Sequence, residues 1–193
     1  GENERMIADL RDCVLSTRMM PIGPMFERYR RVIRDLCKDM GKKVDFRIEG
    51  GETELDKTVI DKLSEPMIHL IRNSMDHGIS TPQERINNGK PETGNLTISA
   101  THVGAQVRLS VEVDGQGLHS VVLVREAKER NLVTADVSLT DEQINDLIFA
   151  PGFSTADNVS NVSGRGVGMD AVRRDVERLR GSVHAQSRSG YGT

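Results

Sequence analysis

HLIRNSMDHG, residues 69–78, is the segment that most constrains the fold and the chemistry of this chain. His69, Asn73 and Asp76 or His77 recur every three or four residues, so on a helix they project from one side. Such a row could form the wall of a pocket, or the solvated face of an amphipathic helix. One side-chain carbonyl such as that of Asn73 suffices for Mg²⁺ when phosphates supply other ligands, because this ion keeps several waters. Taken alone, the segment favours the solvated face.

The helix that carries this segment is predicted to run from Lys57 to His77. Apolar residues recur along one of its faces, at Val59, Ile60, Leu63, Met67, Leu70 and Ile71. Asp56 stands where an N-cap is expected, after the loop 49–56. Pro66 should bend or interrupt the helix, because it lacks an amide hydrogen.

The segments before this helix predict two more helices and a strand. Apolar spacing indicates a short helix over 6–15, which stops before the turn at Pro21, and a longer one over 24–40, which Gly41 ends. Alternation over 44–48 predicts a half-buried strand.

The segments after it predict an antiparallel hairpin followed by helices. Alternating runs at 96–101 and 107–113 follow the polar loop 78–94, and a short connection joins them. Two helices follow, over 120–130 and over 140–149, and the second begins with the capping box TDEQ. A loop is predicted over 151–164, then a helix over 167–180 and a strand over 182–187. Helices combined with mostly antiparallel strands predict an α+β sandwich.

Composition limits the classes of function. The chain has 193 residues, enough for one domain with an appendage, and a formal net charge of -3. This charge points to neither nucleic acid nor membrane as a partner, and no apolar run suits a spanning helix or a signal peptide. Cys13 and Cys37 lack a CxxC or Cys/His pattern, which favours reduced thiols over a disulfide or zinc.

Two glycine-rich stretches are candidates for nucleotide contacts. VDGQGL, residues 113–118, follows a strand; paired glycines there let the backbone approach a ligand, but they also occur in ordinary turns. SGRGVGMD, residues 163–170, opens a helix whose free amides and positive dipole end can hold phosphate. It lacks the lysine of a P-loop, and the next strand does not complete a Rossmann unit. We therefore expect a phosphate site of another class.

The order of these motifs, with IFAPGFSTA at 148–156, resembles the N, G1, F and G2 boxes of the GHKL superfamily of gyrases, heat-shock chaperones, MutL and histidine kinases. More narrowly, RMMPIGPMFERYRRVIRDL, ETELDKTVIDKL, NNGKPETG and SGRGVGMDAV resemble the CheA family of chemotaxis histidine kinases across nearly the whole chain. The resemblance implies the Bergerat fold, a two-layer α/β sandwich with a mixed, mostly antiparallel sheet. It also implies that residues 1–20 end a dimerisation-domain helix with its linker, and that residues 21–193 form the ATP-binding catalytic domain.

The resemblance also implies roles for individual residues. His69 would orient or deprotonate the attacking group, and Asn73 would bind Mg²⁺. Contacts to ATP would come from Asn73, Asp76, His77, Val113, Gly115, Gly117, Leu118, Ser154, Thr155, Gly164, Arg165, Gly166, Val167, Gly168, Met169 and Thr193. Of these, Ser154 and Thr155 would lie on a lid that closes to exclude water. Outside such a motif, a hydrogen-bonded structural role would be the ordinary interpretation of His69.

One position departs from the family pattern DxGxG, in which the first aspartate accepts the adenine amino group. Counting back from Gly115 gives Val113, which cannot accept a hydrogen bond. Leaving a buried polar group unpaired costs about 1–3 kcal/mol. Val113 continues the alternation of its strand, so it should face the interior, while Asp114 should point the opposite way and is no obvious substitute.

The implied function is transfer of the γ-phosphate of ATP to a histidine on a separate phosphoacceptor domain, which then serves response regulators in the cytoplasm. An adaptor protein and chemoreceptors would act through other domains. None of the five histidines lies in a recognisable phosphoacceptor helix, so the chain alone should not autophosphorylate. Two alternatives remain. One is a nucleotide-impaired, kinase-like module with a regulatory or scaffold role, which Val113 motivates. The other is an ATPase of the gyrase or MutL kind, which usually has glutamate where His69 stands.

Overall fold

The computed structural model describes residues 18–117, 120–134, 136, 138–151, 168–187 and 190–193. The predicted helix over 6–15 and nearly all of the predicted loop over 151–164 lie outside these ranges. No helix in the described ranges is both long and apolar enough to cross a bilayer.

The strands form a mixed arrangement of two small sheets. Their bounds are Met19–Pro21 (β1), Val44–Glu49 (β2), Glu54–Asp56 (β3), Gly94–Val103 (β4) and Gln106–Val113 (β5). The larger sheet has the order β2–β4–β5, in which β2 runs parallel to β4 and β4 runs antiparallel to β5. β1 pairs with β3 in a separate antiparallel ribbon. The predicted hairpin is thereby confirmed.

The described helices lie between and after the strands along the chain. They are Gly23–Met40 (α1), Lys57–Asn73 (α2), Pro82–Asn87 (α3), Ser120–Glu129 (α4), Asp141–Asp146 (α5) and Met169–Arg178 (α6), with a π-helix at Ser74–Gly78 and a 3₁₀ turn at Leu147–Phe149. The predicted caps are present: Gly41 closes α1 with a left-handed φ of 65°, and the Asp56 side chain accepts a hydrogen bond from the Thr58 amide. Thr140 and Gln143 form the predicted capping box.

The main core lies between α1, α2 and the larger sheet. Phe26 and Tyr29 of α1, Ile71 of α2 and Leu96 and Ile98 of β4 are almost fully buried in it. A smaller cluster joins α4 to the 3₁₀ turn, through Leu123, Ala127 and Leu147. One layer of helices over a mixed sheet confirms the predicted α+β sandwich.

Several predicted elements are wrong. α2 continues through Pro66 as one helix, so the predicted interruption is absent, while the alternative of a bend at Pro66 stays a prediction. α2 ends at Asn73, after which the chain forms a π-helix up to Gly78. The segment predicted as polar loop contains α3, which a capping box of Thr81 and Glu84 stabilises. The short strand β3 occupies the end of the predicted loop 49–56.

The strand predicted over 182–187 is also wrong. Alternation indicates a strand only where a sheet edge is available to pair with it. In the described part of the chain, no ladder includes these residues. Val113 at the end of β5 instead exchanges two backbone hydrogen bonds with Thr193, of 2.9 and 3.2 Å.

Candidate functional site

The polar row of α2 starts as predicted and then changes spacing. His69 and Asn73 lie one helical turn apart and are both half-buried. The π-helix that follows has a wider turn, which moves Asp76 and His77 out of the i, i+4 spacing. Both are exposed, and His77 Nε2 lies 3.5 Å from Asp76 Oδ2. The structure therefore keeps His69 and Asn73 together on one face and gives the next two polar residues a different orientation.

His69 has a neighbour that the sequence pattern did not single out. Its Nε2 lies 3.9 Å from Oε1 of Glu65, one turn earlier on α2. The His69 side chain is 27% exposed and that of Glu65 is 85% exposed. Solvent screens the attraction between the two side chains, because the carboxylate is largely exposed.

The end of the π-helix lies directly against the glycine turn formed by residues 114–117. The Gly78 carbonyl accepts a hydrogen bond of 3.1 Å from the Gln116 amide. A Cβ atom on Gly115 would lie 1.5 Å from the Gly78 carbonyl oxygen, and one on Gly78 would lie 3.0 Å from Val113 Cγ2. Gly117 has a φ of 76°, a conformation that favours glycine. These glycines allow the two motifs to meet.

Val113 faces the interior, as the alternation predicts. It is 8% exposed and belongs to the main core. The next residue, Asp114, is held elsewhere: its carboxylate accepts hydrogen bonds from the Asn95 amide (2.7 Å) and the Asn95 side chain (2.8 Å), and it lies 3.4 Å from the Arg85 guanidinium. The prediction that Asp114 does not replace an acceptor at position 113 is consistent with these contacts.

Burial and hydrogen bonding act in opposite directions on Asp114. Burial alone would raise its pKa, but the two hydrogen bonds from Asn95 and the charge of Arg85 outweigh that effect. The pKa of Asp114 therefore lies below its usual value of 3.8.

Two cations from the segment after the π-helix hold the glycine turn, and neither is among the predicted site residues. Arg85 of α3 is 2% exposed and donates hydrogen bonds to the carbonyls of Pro91 and Asp114, of 2.7 and 3.1 Å. Lys90 Nζ donates to the carbonyls of Asp114 and Gly115, at 3.2 and 2.5 Å. The capping box before Arg85 was a signal that this segment is ordered.

A third cation contacts the π-helix. Lys42 follows the end of α1, and its Nζ donates to the carbonyls of Met75 and Asp76, at 2.6 and 2.9 Å. Burial lowers the pKa of Lys42, while the negative charges of Asp76 and Glu84 oppose that shift. No motif in the sequence marks Lys42.

The remaining predicted contact residues are only partly described. Gly168 is the N-cap of α6, and α6 packs against α2, so its N-terminal amides lie on an element next to the polar row. Met169 is the first residue of α6, and Thr193 pairs with Val113. The predicted contacts that lie outside the described residues are Leu118, Ser154, Thr155, Gly164, Arg165, Gly166 and Val167.

A separate polar cluster joins α5 to the segment after α6. Glu142, Asp146 and His184 each have one side-chain atom that could ligate a metal, and these three atoms lie within 4.8 Å of one another. His184 Nδ1 lies 3.6 Å from Asp146 Oδ2, and an Arg173 nitrogen lies 3.8 Å from the same oxygen. Two basic side chains therefore already face this carboxylate.

Comparison with known proteins identifies the family of this chain. Residues 58–193 match the model of the histidine kinase-, DNA gyrase B- and HSP90-like ATPases. The chain belongs to this family. Its fold agrees with that of the catalytic domain of histidine kinase ThkA, with a TM-score of 0.54 and 17% identity over 91% of this chain and 90% of that one.

Within this ATPase family, the chain is similar to chemotaxis kinases. It is 48% identical over 191 residues to the chemotaxis protein CheA of Bacillus subtilis, covering 98% of this chain and 28% of that protein. It is 44% identical over 193 residues to CheA of Salmonella typhimurium, covering 100% and 29%. The chain is thus a CheA-like ATP-binding domain, and it spans less than a third of the length of these relatives.

Proposed function

We propose that this chain is the ATP-binding catalytic domain of a cytoplasmic chemotaxis histidine kinase. In the proposed reaction, the γ-phosphate of ATP moves to a histidine on the phosphoacceptor domain of the same kinase, and from there to response regulators. An adaptor protein and chemoreceptors would regulate the kinase through domains outside this segment. The identity of 48% with a CheA sequence over 98% of the chain is the observation that carries the proposal.

His69 is the proposed group that orients the attacking imidazole. In the transfer, the acceptor nitrogen forms a bond to the γ-phosphorus while the bond to the β,γ-bridging oxygen breaks and ADP leaves. An imidazole beside the acceptor can take its proton near neutral pH. Glu65, 3.9 Å from His69 Nε2, can stabilise the positive charge that His69 would then carry.

Asn73 is the proposed Mg²⁺ ligand. It is half-buried at the last residue of α2 and offers a hard carbonyl oxygen, which fits an ion that takes few protein ligands. When bound, Mg²⁺ neutralises charge on the phosphate oxygens. Asp76 and His77 follow Asn73 on the π-helix and are proposed nucleotide contacts.

The base and the phosphates would contact different segments of the chain. Gly115, Gly117, Leu118 and Thr193 are proposed to contact the base around Val113. The phosphates are proposed to contact the segment that opens α6, namely Gly164, Arg165, Gly166, Val167, Gly168 and Met169, because helix N-termini bind anions. Ser154 and Thr155 are the proposed lid residues.

A phosphotransfer assay tests the function directly. The chain is mixed with γ-labelled Mg-ATP and the phosphoacceptor domain of a similar CheA, and the labelled residue is identified. We expect label on a histidine of the acceptor domain, and no label with Asn73→Ala, because that variant lacks the proposed metal ligand.

Two other results would contradict the proposal. Release of labelled phosphate without a labelled acceptor would indicate an ATPase of the gyrase or MutL kind. Absence of Mg-ATP binding in a calorimetric titration of both the chain and its Val113→Asp variant would indicate a binding module without kinase activity.

A further inference from the structure

Lys42 contacts the nucleotide motif from a distant part of the sequence. It lies in the turn after α1, 31 positions before Asn73 as the numbering shows, yet its ammonium group donates to two successive carbonyls of the π-helix. The distances of 2.6 Å to Met75 and 2.9 Å to Asp76 are those of charge-assisted hydrogen bonds. The side chain is half-buried, so these contacts are partly shielded from water.

The π-helix needs such a donor. Its last intrahelical hydrogen bond runs from the Ile79 amide to the Ser74 carbonyl, and the chain then leaves in an extended conformation. The carbonyls of the last helical turn have no following amide to pair with. Lys42 supplies donors to two of them, and this stabilises an otherwise uncommon helix type at the end of the polar row.

The geometry of the π-helix in turn sets the position of the glycine turn. The Gly78 carbonyl accepts from the Gln116 amide, and a single methyl group on Gly115 would lie 1.5 Å from that carbonyl oxygen. The two segments are therefore packed too closely for a side chain to fit between them. A change in the path of residues 75–78 must displace the glycine turn or break its contact with Gly78.

We propose that Lys42 is a positioning residue of the nucleotide site, which fixes the π-helix between Asn73 and the glycine turn. The inference rests on the proposed function, since it concerns affinity for Mg-ATP. It extends the site to a residue outside the motifs, and it assigns to Lys42 no contact with the nucleotide.

The neighbouring residue provides a matched control. Lys43 has the same side chain, but it is exposed and pairs at the surface with Glu92, at 2.5 Å. Replacing Lys43 removes a charge from the same turn and leaves the π-helix contacts intact. The effect of lost charge can thus be separated from the effect of lost hydrogen bonds.

The test compares Lys42→Met, Lys42→Arg, Lys42→Gln and Lys43→Met by calorimetric titration with Mg-ATP. Each titration is repeated with Val113→Asp present, and urea unfolding of every variant reports the folded fraction. We expect Lys42→Met to raise the Kd for Mg-ATP about tenfold while the protein stays folded, because two charge-assisted hydrogen bonds are lost. Arginine should restore most of the affinity, glutamine part of it, and Lys43→Met should bind like the unaltered chain.

The negative outcomes are distinct from failure of the proposed function. Unchanged affinity in a folded Lys42→Met overturns the inference alone. Loss of folded protein in both Lys42→Met and Lys42→Gln also overturns it, since Lys42 would then serve overall stability. If neither the unaltered chain nor Val113→Asp takes up Mg-ATP, the proposed function fails first, and the inference fails with it.

Discussion

Val113 stands at the position of the first aspartate in the DxGxG pattern, and its side chain contains only carbon atoms. Its burial in the core explains how the chain tolerates this residue, since valine completes the apolar alternation of β5. The neighbouring residue, Asp114, cannot supply the missing hydrogen-bond acceptor, because its carboxylate is already engaged by Asn95 and Arg85. In the proposed site, recognition of the adenine amino group would therefore depend on position 113.

We predict that Val113→Asp binds Mg-ATP more tightly than the unaltered chain. A hydrogen bond to the adenine amino group should lower the Kd about tenfold. Without nucleotide, the variant should unfold at a lower urea concentration, because position 113 is 8% exposed and the new carboxylate would lack a partner. Calorimetric titration and urea unfolding measure the two effects.

The control for this prediction changes the ligand. A purine ribonucleoside triphosphate without the 6-amino group should bind the unaltered chain and Val113→Asp with similar affinity. Equal tightening for both nucleotides would show that the aspartate acts by some means other than accepting that amino group.

His69 gives a second prediction, on rate. His69→Gln keeps a hydrogen-bonding side chain of similar size but loses the proton acceptor, so phosphotransfer should fall about 10²–10⁴-fold. The Kd for Mg-ATP should stay the same. Initial rates with saturating acceptor domain measure the loss, and Glu65→Gln should show a much smaller one, because Glu65 is 85% exposed. An unchanged rate for His69→Gln would assign His69 a structural role.

At the scale of elements, the π-helix and the glycine turn pack closely against each other. We predict that Gly115→Ala destabilises the fold by at least about 3 kcal/mol, because its methyl group would overlap the Gly78 carbonyl oxygen at 1.5 Å. Gly89→Ala is the matched variant: Gly89 has a φ of 75° but open space around it, so only backbone strain of about 1–2 kcal/mol is expected. Urea unfolding compares the two, and equal losses would mean that the junction can widen.

Some elements of the fold could be predicted from the sequence, and others could not. Periodicity and caps were sufficient for α1, β4, β5 and α5, because each carries its own apolar face or capping box. The π-helix was not predictable, since it depends on a lysine 33 positions before Met75, as the numbering shows, and on glycines that meet only in the folded chain. The motifs name the candidate site residues, which stay predictions, whereas Arg85, Lys90 and Lys42 carry no local signal for the contacts that they make.

At the scale of the whole molecule, one polar network connects the sheet to the segment that follows the polar row. Arg85 of α3, Asn95 of β4 and Asp114 after β5 meet at the carboxylate of Asp114. Arg85 additionally donates to the carbonyls of Pro91 and Thr93, which fixes the chain between α3 and β4. An almost fully buried guanidinium requires these partners, because an unpaired buried charge is costly.

This network should make stability depend on pH through Asp114. Its folded pKa lies below 3.8, so the ionised carboxylate contributes stability above that pH and loses the contribution as the pH falls from 3.8 through the folded pKa. Asp114→Asn should therefore be less stable than the unaltered chain at pH 7, and the difference should shrink below pH 3.8. Urea unfolding across this range measures it. Asp45→Asn, which removes an exposed ion pair with Arg47, should cost less than about 1 kcal/mol at neutral pH. A difference for Asp114→Asn that stays constant with pH would mean that the shape of Asp114, and not its charge, holds the network together.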